Sequence, residues 1–142
     1  MFTVAVIQRA ERCLGARCVY RLGAGGMDPQ LEYPWGNRAD STVGKMCDCS
    51  GFVAWCLGMS RKTDHPWYRS TNGGWFETSA VFRDAMTASF GMFDQVSVPE
   101  ISDLIVYGDH AGHQGHIGLV TQVVPEVQVI HCSKGAYDRT GD

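Results

Sequence analysis

The run Asp48-Cys49-Ser50-Gly51-Phe52-Val53-Ala54-Trp55-Cys56-Leu57-Gly58 constrains the fold more than any other segment of this chain. Asp48 is a helix-capping residue type, Phe52, Val53, Cys56 and Leu57 recur at helical spacing, and Gly58 is a stop signal. A helix this short holds only if its apolar face packs against something else. It is expected to be buried on that one side. Its first residue is a cysteine, where the first-turn amides and the positive end of the helix dipole should favour the thiolate, the reactive form.

The surface for that helix comes from the C-terminal part of the chain. Asp103-Leu104-Ile105-Val106-Tyr107, Gly115 to Val124 and Val127 to Cys132 are β-branched runs bounded by turn residues. They are expected to form a consecutive antiparallel meander carrying His116 and His131. If a four-residue loop, Gln122 to Pro125, joins the last two strands, His116 lies directly opposite His131 on one face. If the turn is only Pro125-Glu126, His116 is displaced by four residues, roughly 13 Å along the strand. Upstream, Val4, Ile7 and Leu14 make one face of an opening helix that Gly15 ends. Met27 to Met46 reads as a long loop, and Thr78 to Phe90 as a helix. The aromatic stretch between, with Trp67, Tyr68, Trp75 and Phe76, either packs a helix on the sheet or walls a cleft.

Composition removes several function classes. A chain of 142 residues with 44% hydrophobic and 11% aromatic residues fits one domain with an ordinary core, residues 1–142. A net charge of −3 offers no basic field for nucleic acid, and no apolar stretch is long enough to span a membrane. Met1 to Ile7 is short, lacks a preceding basic region and runs into Gln8, Arg9, Glu11 and Arg12, so no signal peptide is expected. Six cysteines stand at 13, 18, 47, 49, 56 and 132. With Cys49 free, five remain and cannot all pair, so mostly reduced buried thiols are expected. Cys47 is placed to trap Cys49 as a disulfide under oxidation. His110, His113 and His116 recur every third residue, but the first two fall among glycines in a hairpin loop. Cys-x-Cys is also tighter than a zinc knuckle, so no metal and no cofactor is expected.

Cys49, His116 and His131 stand in the order nucleophile, base and orienting residue. With Asp48-Cys49-Ser50-Gly51, Gly115-His116-Ile117-Gly118 and the later His131, the chain resembles the NlpC/P60 family of cysteine peptidases. Tyr20 before Gly23, Gly25 and Gly26 resembles the family's tyrosine ahead of a glycine-rich turn. The resemblance implies a papain-like α+β fold, with N-terminal helices including the nucleophile helix packed on an antiparallel sheet. It implies a Cys49-His116-His131 triad, with Tyr20 and the Cys49 amide as oxyanion donors and Asp48 and Ser50 contacting substrate. Trp35 and Trp75 are aromatic candidates for the same cleft. The implied activity is hydrolysis of a D-γ-glutamyl-diamino acid bond in a peptidoglycan stem peptide, with an inhibitor or immunity protein as a candidate partner. The enzyme would be made in the cytoplasm and reach the wall by phage, tail or secretion-system delivery, or act on cytosolic muropeptides. A catalytically silent binding module and a thiol acyltransferase remain open as alternatives.

Overall fold

A computed structural model describes residues 2–34, 45–87 and 91–142. The described residues form five helices and five short strands. The helices are α1 (Phe2–Cys13), α2 (Cys49–Cys56), α3 (Pro66–Asn72), α4 (Thr78–Met86) and α5 (Lys134–Thr140). The strands are β1 (Val19–Tyr20), β2 (Met46–Cys47), β3 (Leu104–Tyr107), β4 (His116–Gln122) and β5 (Gln128–Ile130). The architecture is mixed α+β. Strands β3, β4 and β5 make the antiparallel meander expected of them, while β1 and β2 pair in parallel as a separate two-stranded ribbon.

Helix α2 lies at the centre of the core and departs from expectation in one respect. All eight of its residues are buried, so it has no solvent face. It is covered by α1 on one side and by β4 on another, and the 24–26 turn crosses it so closely that a side chain does not fit. A Cβ on Gly51 would lie 2.3 Å from the Ala24 carbonyl oxygen, and one on Gly26 would lie 2.5 Å from that of Gly51. The glycines on both sides of this crossing are therefore sterically required. The Trp55 side chain is fully enclosed, and its indole N–H donates to the Leu31 carbonyl at 2.9 Å. Burial of a side chain that large contributes on the order of 3 kcal/mol.

Helix α1 buries Val6, Ala10 and Cys13, whereas Val4 and Leu14 are exposed. The expected face of Val4, Ile7 and Leu14 is thus rotated. Small residues at 10 and 13 let α1 approach α2, and Arg9 reaches across to the Trp55 carbonyl with its guanidinium over the indole. Helix α4 begins as expected, with the Glu77 carboxylate accepting from the amides of Ser79 and Ala80, but it ends at Met86, short of the expected end near Phe90, because Thr87 turns to extended backbone (φ −111°, ψ 92°). No helix among the described residues is long and apolar enough to cross a membrane.

Candidate active site

The site begins with the cap of α2. Asp48 is extended (φ −105°, ψ −175°), and its Oδ1 accepts from the Gly51 amide at 2.8 Å while Oδ2 accepts from the Gly23 amide at 2.7 Å. Arg61 forks onto the same carboxylate. Its Nη2 donates to Asp48 Oδ2 at 2.8 Å and to Ser50 Oγ at 2.7 Å, and its Nη1 lies 2.8 Å from Asp48 Oδ1 and donates to the Ala24 carbonyl at 2.7 Å. Both charged side chains are 2% exposed. Bidentate pairing is what makes such burial tolerable. Asp48, expected to touch substrate, thus has both oxygens engaged within the protein, and Ser50 is held between it and Arg61.

Cys49 is the first residue of α2 and is buried. Its thiol is pushed up to about 11, first by burial and then by the Asp48 charge, against the opposing pull of the Ile117 and Ser50 backbone. The expected activation by the helix start is outweighed, because desolvation and an adjacent carboxylate both disfavour a second negative charge. At neutral pH Cys49 therefore rests as a thiol. The Ile117 contact also puts the sulfur against the peptide that follows His116.

The sheet supplies the histidines. Neither expected register between β4 and β5 is the one adopted: Leu119 pairs with Ile130 and Val120 with Val129, then Thr121 bulges out before Gln122 pairs with Gln128. His131, just past β5, is consequently set against Gly118 rather than against His116, and a Cβ on Gly118 would lie 3.2 Å from His131 Cβ. The two histidines are diagonal neighbours on one face. Because Gly118 has no side chain, the His131 ring leans across, and His116 Nε2 lies 2.7 Å from His131 Nδ1 with the ring planes at 86°. Burial first, and then the nearness of His131, lowers the His116 pKa from its usual value, which favours the neutral ring. With Nε2 taken up by His131, the nitrogen left to accept a proton is Nδ1. For Nδ1 to act as the acceptor, His116 must carry its proton on Nε2 and donate it to His131 Nδ1.

Tyr20, on β1, completes the group. Its hydroxyl is pushed up to about 12 by burial, with the Cys49 and Asp48 charges adding, so it stays a proton donor throughout the neutral range. A cleft of about 220 Å³ runs beside Cys49, lined among others by Tyr20, Asp48, Ser50, Arg61, Trp75 and Gly115. Of the sequence candidates, Tyr20, Asp48, Cys49, Ser50 and Trp75 therefore share one cavity, with His116 following directly on its Gly115 wall. Trp35 lies outside the described residues.

Arg61 is the site residue that sequence reasoning missed. It follows Gly58-Met59-Ser60 with nothing to distinguish it from an exposed arginine, although its guanidinium sits 4.9 Å from the Trp75 ring centre at the cleft. His110 and His113 form a backbone bridge to each other in the β3–β4 loop, exposed and away from this cavity's lining. Among the described residues, no group of three or more His, Cys, Asp or Glu side chains is arranged to hold a metal ion. No protein-family model, curated protein or solved structure matches the chain.

Proposed function

We propose that the chain is a papain-like cysteine hydrolase of the NlpC/P60 type that cleaves an amide bond in bacterial cell-wall peptides, the D-γ-glutamyl-diamino acid bond first among them. The observation that carries this reading is the 2.7 Å bond between His116 and His131, beside a cysteine at a helix start that opens on a cleft. A neutral histidine with one nitrogen held by a neighbour and the other open to a proton can serve as a general base.

The chemistry follows from the resting states. His116 Nδ1 takes the Cys49 proton as the sulfur attacks the carbonyl carbon, so proton transfer accompanies attack rather than preceding it. The oxyanion is met by the Cys49 amide, which the helix leaves unused, and by the Tyr20 hydroxyl. His116 then gives the proton to the leaving amine, and a thioester remains on Cys49. Water, deprotonated by His116, releases the acid and restores the thiol. Asp48 acts through what it orients, Ser50 and Arg61, and Trp75 offers the substrate an apolar wall. A delivered lytic enzyme and a cytosolic one acting on muropeptides use the same steps.

Purified peptidoglycan digested by the wild type and by Cys49→Ala in parallel, with muropeptides read by mass spectrometry, tests the proposal. New products from the wild type alone are expected, and their masses identify the bond. No product from either protein, with a peptide bound equally by both, would replace the hydrolase with a binding module. Products joined to an added amine instead of water would make it an acyltransferase.

A further inference from the structure

Four of the six cysteines adjoin one another in a row that the hydrolytic chemistry does not use. Cys132 Sγ lies 3.4 Å from Cys47 Sγ, and also 3.4 Å from the Cys47 carbonyl oxygen. Cys47 is in turn a near neighbour of Cys18, and Cys18 of Cys13. All are free thiols. The row runs from the half-buried Cys132 at the end of the sheet inward to Cys13 on α1. Cys47, placed by sequence to trap Cys49, therefore faces a different sulfur.

We propose that Cys132 and Cys47 are a redox modification site, converted by hydrogen peroxide into a disulfide. Cys132 is the entry point, because it is half-buried while the other five cysteines are buried. Its sulfur attacks the peroxide, giving a sulfenic acid and one molecule of water. The Cys47 thiol then attacks that sulfur, the S–S bond forms, and the Cys47 proton leaves with the hydroxyl as a second water. Two thiols are oxidised by two electrons and one peroxide is reduced. The sulfurs need to close by about 1.4 Å to reach bonding distance, within reach of small side-chain adjustments.

Position gives the bond its consequence. Cys47 ends β2 and immediately precedes Asp48, the cap of the nucleophile helix, while Cys132 immediately follows His131. The disulfide would tie the strand leading to Cys49 to the residue that orients the base. The pair does not depend on what the cleft cleaves.

Treatment of Cys49→Ala with an equivalent of hydrogen peroxide separates this proposal from the hydrolase reading, since no turnover is involved. The expected result is a loss of about 2 Da in intact mass. A non-reducing peptide map should join the Cys47 and Cys132 peptides, with the melting temperature raised by several degrees and restored by dithiothreitol. Cys132→Ser should lose the mass shift. Sulfinic acid at Cys132 with Cys47 still open to alkylation after denaturation, or a disulfide between any other pair, would overturn it.

Discussion

Replacing Arg61 by methionine tests whether the buried charge cluster holds the nucleophile helix. Methionine keeps much of the side chain's length but removes the donors to Asp48, Ser50 and the Ala24 carbonyl. The Asp48 carboxylate, 2% exposed, keeps the Gly23 and Gly51 amides and the Ser50 hydroxyl but loses its counter-ion. Removing one partner of such a pair costs about 3–5 kcal/mol, because a charge is left uncompensated in the interior. In a domain of this size that lowers the melting temperature by on the order of 10–20 °C. Thermal unfolding followed by circular dichroism, with urea unfolding beside it, reads the loss. The double change Asp48→Asn with Arg61→Met removes the orphaned charge, so its cost should fall short of the sum of the single changes by about 1–3 kcal/mol. Arg61→Met melting within about 2 °C of the parent, the range of a surface substitution, would refute the reasoning.

Four further outcomes follow from the site. Alkylation of Cys49 by iodoacetamide should accelerate as pH rises toward about 11, since burial holds the free thiol protonated below that; a plateau reached by pH 6 would mean a preformed thiolate. The acid limb of kcat/KM should fall at a pH below 6.5, because the active form is neutral His116 and its lowered pKa extends that form downward; an acid limb above 6.5 would contradict the desolvated base. His131→Ala should lower kcat by about 10²–10⁴ with little change in KM, and His131→Asn, which keeps an acceptor for His116 Nε2–H, should lose less; equal losses would argue against an orienting role. Tyr20→Phe should cost about 10²–10³ in kcat if the hydroxyl meets the oxyanion, and nothing if Tyr20 only packs.

Much of the site is legible in the amino-acid order because its parts are tied to local structure. Asp48 is a capping residue, Gly51 permits a close crossing, and the cysteine between them stands at the helix start whatever surrounds it. The strand carrying His116 and the one leading to His131 are equally plain from their β-branched runs. The details that sequence missed depend on contacts across the fold. Strand register turned on a bulge at Thr121, and no residue type announces a bulge there. The buried face of α1 is chosen by how closely α2 approaches, which favours Val6, Ala10 and Cys13 over larger neighbours. Arg61 is buried only because Asp48 waits for it, thirteen residues earlier in the chain. Helices α3 and α5 carried readable signals in Pro66 and Gly73, and in Ser133 and Gly141, but each helix is only seven residues long. Runs that short have little hydrophobic periodicity to weigh against a loop.

The central claim, that Cys49 carries the acyl group of a cell-wall peptide, is tested most directly by intact-mass spectrometry of the protein quenched in acid during turnover of a stem peptide. The account predicts a thioester adduct with the mass of the acyl half of the substrate, located on the Cys49 peptide and absent from Cys49→Ala. Product accumulating from Cys49→Ala at the wild-type rate, with no adduct on either protein, would contradict it.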